Sequence, residues 1–120
     1  MRDRALDHLS PLMRAAAVEF LARMAEAGIP LLIVETFRSE ADHQADLAAG
    51  RSWIARSKHQ DGHAMDVCPY DTYQLHGPDK LQWDASDPVW ERIAVTAEKC
   101  GLKSGYRWQQ RDCGHVELVT

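Results

Sequence analysis

The residues best suited to chemistry lie in two short segments of this sequence. The first segment is Ser57–Asp66, with the letters SKHQDGHAMD, and it contains His59 and Asp66. The second segment is Asp112–Leu118, with the letters DCGHVEL, and it contains His115. Two imidazoles and a carboxylate, with a fourth position left for water, are typical of a catalytic zinc site. Structural zinc sites usually close with four ligands, most of them cysteines.

The spacing in the first segment predicts how His59 meets Asp66. Residues 62–68 alternate like a half-buried strand, which places Asp66 and Cys68 on the same face. His59 lies in the loop that enters this strand. Gly62 allows the backbone to bend there without a Cβ clash. The imidazole of His59 can therefore fold back over the face that carries Asp66.

The second segment predicts where His115 lies. Residues 114–119 also alternate like a strand, with His115 and Glu117 on one face. If this strand pairs with the first one, His115 joins the other two ligands. Asp112 lies just outside the strand, three residues before His115, so we expect it at the edge of the same site.

These two segments resemble a known family of enzymes. The pattern Ser57-x-His59-x-x-Gly62-x-Ala64-x-Asp66, followed by Asp112-x-x-His115, is similar to that of the VanX/VanY-type zinc peptidases. The resemblance is closest to the branch containing phage endolysins that cleave the L-alanyl-D-glutamate bond of peptidoglycan, and it runs from about Ile29 to Leu118. The segment Thr36-Phe37-Arg38-Ser39 resembles the Tyr/Phe-Arg-Ser segment that precedes the first ligand in that family. The resemblance implies one Zn²⁺ per chain and a peptidoglycan stem peptide as substrate.

The site residues receive roles on these grounds. His59, Asp66 and His115 hold zinc, which acidifies a bound water to a pKa near ~7. Asp112 is placed to accept a proton from that water, and the family has Asp or Glu at this position. Arg38 stabilises the oxyanion or binds a substrate carboxylate; the alternative is a surface salt bridge.

Several side chains keep alternative assignments. Ser57 hydrogen-bonds the loop or the substrate, or is an ordinary loop serine. Glu117 is either the hydrogen-bond partner of a ligating histidine or a solvated residue. His63 faces away from Asp66 by alternation, so we expect it on the surface or outside the ligand sphere. Cys113 and Cys68 remain alternative zinc ligands. His8, His43 and His76 belong to no pattern and receive no role.

Composition bounds the class of protein. The 120 residues predict one catalytic domain, 1–120, and the 45% apolar and 27% charged content is that of a soluble globular protein. The net charge of −4 argues against nucleic acid as a partner. No apolar run approaches the ~18 residues that a membrane span needs, so we expect no direct membrane insertion. We expect a monomer.

The first residues and the cysteines bear on location. Residues 1–8 lack an apolar signal region, so we expect a cytoplasmic protein that needs a holin or a similar partner to reach the cell wall. The three cysteines, an odd number without paired spacing, predict reduced thiols and no disulfide framework.

The first half of the chain predicts two helices and a strand. Ser10 and Pro11 open a helix to about Ala27. Its expected apolar stripe consists of Leu12, Ala16, Phe20 and Met24. Residues 30–37 predict a buried strand, and Ser39 caps a helix over residues 40–49. Residues 51–58 form a loop with Trp53.

The second half predicts a long loop, a helix and two strands. Residues 69–88 form a loop interpreted as a lid or groove wall, in which Tyr70, Tyr73, His76 and Trp83 could pack on a ligand. A helix follows from Val89 to about Cys100, with Trp90, Ile93, Ala94 and Ala97 facing inward. Residues 102–108 and 113–119 predict strands. The order of elements predicts an α+β fold, a single small domain with a mostly antiparallel sheet packed by helices, and the family resemblance implies the same.

Three functions are compatible with this sequence. The leading hypothesis is an L-alanyl-D-glutamate endopeptidase that acts as an endolysin or wall-remodelling enzyme. The second is a D-alanyl-D-alanine carboxypeptidase or dipeptidase of the same fold. The third is a non-catalytic, zinc-stabilised binding domain, as the resemblance to hedgehog-type domains implies. Asp112 separates the enzymes from the binding domain, because a structural site needs no free carboxylate beside the metal.

Overall fold

The computed structural model describes residues 2–52, 56–70 and 81–119. Within these ranges the helices are α1 (Pro11–Glu26), α2 (Glu40–Ala48) and α3 (Val89–Lys99), and the strands are β1 (Leu31–Glu35), β2 (Ala64–Pro69), β3 (Leu102–Ser104) and β4 (His115–Leu118). Short 3₁₀ helices cover Leu6–His8, Lys58–Asp61 and Gly105–Arg107. None of the helices in the described part has the length and apolarity needed to cross a membrane.

The four strands form one antiparallel sheet in the order β1-β2-β4-β3. The predicted α+β fold with a mostly antiparallel sheet is therefore confirmed. The inner strands β2 and β4 pair with Asp66 directly opposite His115. This register brings residues that are far apart in sequence to the same point of the sheet.

The prediction that β2 is half-buried is wrong, because both of its faces are covered. Met65 and Val67 lie in the core on one face. On the other face, imidazoles lie over Asp66, and the Cys68 thiol contacts the carbonyl oxygen of Gln82 at 3.3 Å. In an inner strand that packs on both faces, alternate residues differ less in solvent exposure than in a strand with one solvent-exposed face.

The helix α1 begins as predicted but faces the core with a different stripe. The Ser10 side chain caps its first turn by accepting from the backbone N–H of Met13, and Pro11 occupies the first helical position. The buried residues are Met13, Ala17, Phe20 and Met24. Leu12 is 76% exposed, so its predicted burial is wrong. The helical phase that buries Phe20 and Met24 continues through Met13 rather than Leu12.

The helix α3 follows the prediction closely. Trp90, Ile93, Ala94 and Ala97 are all fully buried. The Asp87 carboxylate accepts from the backbone N–H of Val89 at 2.8 Å and satisfies an otherwise unpaired donor of the first turn. Trp83 stacks on Trp90, with ring centroids 6.3 Å apart. Trp83 thus contacts a core residue of α3, although its predicted role was to pack on a ligand.

The two edge strands of the sheet are shorter than expected. β1 ends at Glu35 and is only partly buried, since it is an edge strand. β3 ends at Ser104, whose hydroxyl accepts from the backbone N–H of Tyr106 and starts a 3₁₀ helix. The predicted strand over residues 102–108 is therefore correct only for its first three residues.

Part of the loop predicted over residues 69–88 can be compared with the structure. Tyr70 and Leu81 form an isolated antiparallel bridge, which closes the base of this segment. Tyr73 and His76, together with the interpretation of residues 71–80 as a lid, lie outside the described residues. Trp53 of the preceding loop also lies outside them.

Candidate metal centre

His59 lies in the 3₁₀ helix Lys58–Asp61, where the sequence predicted a loop. Ser57 caps this helix: its hydroxyl accepts from the backbone N–H of His59 at 3.2 Å, and the side chain of Gln60 returns a bond to the Ser57 N–H. Gly62 ends the helix with a φ of 70°, and a Cβ there would meet the Ser10 nitrogen at 2.9 Å. The expected role of Ser57 in holding this segment thus has a structural basis.

The three predicted ligands meet in space. One ligand atom from each of His59, Asp66 and His115 lies within 4.8 Å of the other two. The Asp66 Oδ1 atom is 3.2 Å from Nε2 of His59 and 3.0 Å from Nδ1 of His115. The pairing of β2 with β4 and the 3₁₀ helix before β2 together produce this arrangement.

The hydrogen bonding of His59 is what a metal ligand requires. Its Nδ1–H donates to the carbonyl oxygen of Thr36 at 2.7 Å, so the Nε2 atom carries the lone pair. Nε2 is buried and makes no hydrogen bond within the described structure. A lone pair that faces the Asp66 carboxylate at 3.2 Å is repulsive unless a cation lies between the two atoms. The two imidazoles and the carboxylate therefore fit a divalent metal such as zinc.

His115 is held by carboxylates on both sides of its ring. Nδ1 faces Asp66, and Nε2 lies 2.8 Å from Oε1 of Glu117, which is itself buried. Burial lowers the pKa of His115, but the hydrogen bonds with Asp66 and Glu117 outweigh that effect and raise it to about 9. Lys103 lies 3.5 Å from Glu117 and helps to keep that carboxylate charged. Glu117 thus orients the imidazole, with Nδ1 directed at the centre.

Asp66 remains ionised although only 23% of its side chain is exposed. Burial disfavours its charged form, but the adjacent imidazole of His115 holds the pKa of Asp66 far below its usual range. A carboxylate that stays charged in a buried position needs a cationic partner. The centre therefore has a preference for positive charge.

Asp112 lies at the mouth of the centre, as its offset from His115 predicts. Its Oδ2 atom is 3.9 Å from Nδ1 of His115, and its side chain is half-exposed. Burial raises the pKa of Asp112, and the neighbouring charge of Asp66 raises it further. Gly105 makes this position possible, because a Cβ there would lie 2.4 Å from the Asp112 carbonyl oxygen. Sequence analysis had missed the contribution of Gly105.

Arg38 is embedded in a charged cluster. Its Nη2 and Nε atoms donate to Oε1 of Glu35 at 2.5 and 3.2 Å, and Nε lies 3.3 Å from Oδ2 of Asp46. Nη1 is 3.3 Å from Nδ1 of His43, which is fully buried. The side chain of Arg38 is 11% exposed, so it forms a buried rather than a surface ion pair. Each terminal nitrogen carries a second N–H that can be offered to a ligand.

A cavity of about 300 Å³ connects these groups. Its lining includes the predicted Arg38, Ser57, His59, Asp112, His115 and Glu117. It also includes residues for which no role in the site was predicted from the sequence: Arg51, Ser52, Lys58 and Trp108. The ring of Trp108 lies 5.1 Å from that of His115 and forms an aromatic wall. The basic residues Arg51, Arg56 and Lys58 were the one signal in the sequence that could have indicated that residues 51–58 contribute to the lining.

Comparison with known proteins identifies the family. A model of M15 peptidases, described as D-alanyl-D-alanine carboxypeptidase, matches residues 50–118. The chain belongs to this peptidase family. The matched range contains all three residues of the metal cluster as well as Asp112.

Solved structures share the fold of this M15 peptidase. An L-Ala D-Glu endopeptidase, ChiX from Serratia marcescens, superposes with a TM-score of 0.71 at 24% identity, covering 99% of this chain and 90% of that one. The D,D-pentapeptidase VanY, solved with Zn(II), gives 0.65 at 14% identity, covering 93% and 73%. The LD-carboxypeptidase LdcB gives 0.61 at 21% identity, covering 99% and 74%.

The alternative ligands of this peptidase lie outside the cluster. Among the described residues, neither Cys68 nor Cys113 belongs to the group of convergent ligand atoms, and His63 also lies outside it. The predicted strand over residues 113–119 would place Cys113 on the face of His115, but β4 begins only at His115 and Cys113 lies in the preceding turn. Cys68, Cys100 and Cys113 form no disulfide bond with one another.

Proposed function

We propose that this M15 peptidase is a zinc-dependent peptidoglycan peptidase that binds one metal ion per chain and hydrolyses the L-alanyl-D-glutamate bond of the stem peptide. One observation carries the proposal. The buried Nε2 atom of His59 has no hydrogen-bond partner among the described residues, and it lies in one cluster with Asp66 and His115 beside a cavity that both histidines line. The ion would be held by Nε2 of His59, the Asp66 carboxylate and Nδ1 of His115.

The remaining side chains divide the work of hydrolysis. A metal ion held by these three residues would supply a Lewis acid for the scissile carbonyl and for a water molecule. Asp112, half-exposed beside His115, accepts the proton of the attacking water and passes it to the leaving amine. Arg38 donates its outward N–H groups to the oxyanion or to a substrate carboxylate. Glu117 and the Thr36 carbonyl keep the two imidazoles oriented.

The cavity supports an acidic substrate. Arg38, Arg51 and Lys58 line it together with His59, Asp112 and His115. A stem peptide offers carboxylates to these cations near the scissile bond. The structural neighbour ChiX is named as an L-Ala D-Glu endopeptidase, which supports the choice of bond.

A second activity has its own support. The family model is described as D-alanyl-D-alanine carboxypeptidase, and the neighbours VanY and LdcB are named as a D,D-pentapeptidase and an LD-carboxypeptidase. The same cations could bind the terminal carboxylate of a stem peptide. A non-catalytic binding domain is disfavoured by the position of Asp112, since a site that only stabilises the fold has no use for that carboxylate.

Digestion of purified peptidoglycan separates these functions. The zinc-loaded protein is incubated with peptidoglycan and the new termini are identified by mass spectrometry. New L-alanine carboxyl and D-glutamate amino termini support the endopeptidase, whereas release of D-alanine supports the carboxypeptidase. A zinc-loaded protein that cleaves neither bond but still sediments with peptidoglycan would overturn the enzymatic proposal and favour the binding domain.

The setting of this activity is part of the proposal. We place the peptidase as an endolysin or wall-remodelling enzyme that acts as a monomer and reaches the wall from the cytoplasm with the help of a holin or a similar protein. Expression in the cytoplasm with and without a co-expressed holin, followed by turbidity of the culture, tests this route. Lysis that depends on both proteins is the expected result.

A further inference from the structure

We propose that Arg2 is a positioning residue for the reaction, acting through the two buried carboxylates that hold Arg38 at the cavity. This inference rests on the proposed peptidase function. Arg2 is far from the metal-binding segments in sequence and belongs to none of the motifs that they form.

Arg2 is bound by three short contacts. Its Nη1 atom donates to Oε2 of Glu35 and to Oδ2 of Asp46, each at 2.8 Å, and its Nη2 atom donates to Oδ1 of Asp46 at 2.8 Å. Both carboxylate side chains are only 4% exposed, whereas Arg2 is 35% exposed. Planar, two-pronged contact of this kind is the strong geometry for arginine and carboxylate.

The same two carboxylates hold Arg38, through the other oxygen of Glu35 but through an oxygen of Asp46 that Arg2 also contacts. Arg38 donates to Oε1 of Glu35, whereas Arg2 takes Oε2. At Asp46 the Arg38 Nε atom lies 3.3 Å from Oδ2, a weaker contact than either of the two made by Arg2. Oδ1 of Asp46 also accepts from Nε of Arg51, at 2.9 Å. Arg2 nevertheless makes three of the contacts to this pair and thereby limits how far the carboxylates can draw Arg38 inward.

Loss of Arg2 would change how the oxygens of Glu35 and Asp46 are shared between arginines. Oε2 of Glu35 and Oδ2 of Asp46 would lose their principal donor while still buried, which is costly. Arg51 contacts Asp46, whereas Arg38 already contacts both carboxylates and is therefore the cation best placed to replace Arg2. Its guanidinium would rotate towards them and withdraw N–H groups from the cavity. The presence of Arg2 therefore keeps Arg38 available to the substrate.

The chain around Arg2 is fixed in a way that supports this role. The Asp3 carbonyl oxygen accepts from the backbone N–H of Thr36 at 2.7 Å and from its hydroxyl at 3.3 Å. The Thr36 carbonyl in turn holds His59, and the Arg38 N–H donates to the His59 carbonyl at 3.1 Å. Arg2 is thus anchored to the segment that carries Arg38.

Arg4 provides a matched control two residues away. It is exposed, and its Nε atom donates to the Val34 carbonyl at 3.3 Å, away from the buried carboxylates. Arg2→Gln and Arg4→Gln remove the same charge from the same segment. A general effect of charge or of this segment would appear in both variants, whereas a positioning effect would appear only at Arg2.

A double-mutant cycle tests the inference on the zinc-loaded protein. kcat/KM for a stem-peptide substrate, metal content and the urea midpoint are measured for the wild type, Arg2→Gln, Arg38→Ala, the double variant and Arg4→Gln. We expect Arg2→Gln to lower kcat/KM by about tenfold with metal content unchanged, on the scale of a misplaced catalytic group. The same substitution should change kcat/KM less than twofold in the Arg38→Ala background, and Arg4→Gln should stay within twofold of the wild type.

The outcomes separate this inference from the proposed function. An active wild type with unchanged kcat/KM in Arg2→Gln overturns the inference alone, and so does an equal loss in both backgrounds, because a merely structural role would act independently of Arg38. A wild type that cleaves no stem peptide overturns the proposed function and this inference with it. If Arg2→Gln does not fold, Arg2→Lys enters the same cycle. It keeps the charge but cannot span both carboxylates, so a smaller loss, again absent in the Arg38→Ala background, is expected.

Discussion

The two sides of the cavity are held in place by different forces. On the metal side, Asp66 and His115 are opposite residues of the two inner strands, so backbone hydrogen bonds fix their positions. On the other side, Arg38 follows the end of an edge strand, and side-chain charges hold it. Metal binding should therefore respond only to changes in or beside the ligands, whereas the function of Arg38 should be open to changes at distant charges.

Removal of a ligand should have the largest effect. We expect His59→Ala to lose the metal and to reduce peptide hydrolysis to the background rate, because two remaining ligands cannot hold the ion in a closed geometry. Elemental analysis and the hydrolysis assay are run on the same preparations. His63→Ala is the control and should keep both properties. Full metal content in His59→Ala would show that the cluster is not the binding site.

Replacement of Asp112 should separate catalysis from metal binding. Asp112→Asn keeps the size of the side chain but removes the proton acceptor, so we expect a loss of ~10²–10⁴ in kcat with the metal retained. Asp7→Asn, a fully surface carboxylate on the Leu6–His8 helix, is the control. Wild-type turnover by Asp112→Asn would move the base to another group, with Glu117 the next candidate.

The Glu117 side chain should act on the metal rather than on the chemistry. Glu117→Gln keeps the size of the side chain but removes the negative charge beside Nε2 of His115, so the imidazole becomes a weaker ligand. We expect about 10- to 100-fold weaker zinc binding, measured by competition with a chelator, and near-normal kcat at saturating zinc. An unchanged affinity would assign Glu117 to the cavity wall alone.

The metal side was largely predictable from sequence, because its residues follow strand alternation and short offsets along the chain. Alternation of residues put Asp66 on one face of a strand, and the offset of Asp112 from His115 placed a carboxylate at the cavity mouth. Helix caps at Ser10 and Ser39 were recognised for the same reason, since a cap depends on neighbours within one turn. The wrong predictions from local patterns concern the helical phase of α1, as at Leu12, and the lengths of strands.

The Arg38 side was not predictable, because its partners lie far apart in the chain. Arg2 is 33 residues from Glu35 and 44 from Asp46. Charged residues have no periodicity that would reveal which of them pair in the folded state. The buried position of His43 beside Arg38 also follows from packing of α2 and not from any local pattern.

A conservative change at Arg38 tests the charge-held side directly. Arg38→Lys keeps one positive charge but loses the planar fork that contacts Glu35 while facing the cavity. We expect kcat/KM to fall by roughly tenfold, or about 1.4 kcal/mol in the transition state, with zinc content unchanged. Arg23→Lys, an exposed ion-pair residue of α1, is the control. Equal kcat/KM for Arg38→Lys and the wild type would assign Arg38 a purely structural role.

The smallest effect is expected at Cys113, close to the metal side in sequence but outside the cluster. A cysteine binds metal as the thiolate. Burial raises the pKa of the Cys113 thiol, and it lies in the turn before β4, so at neutral pH it is an uncharged side chain beside the site. Cys113→Ser should therefore keep its zinc and stay within twofold of the wild-type kcat/KM, with Cys100→Ser as the control. Thiol titration of the denatured wild type should find three thiols, because the three cysteines form no disulfide bond with one another. Loss of zinc from Cys113→Ser alone would make Cys113 a ligand and would require the turn before β4 to rearrange around the ion.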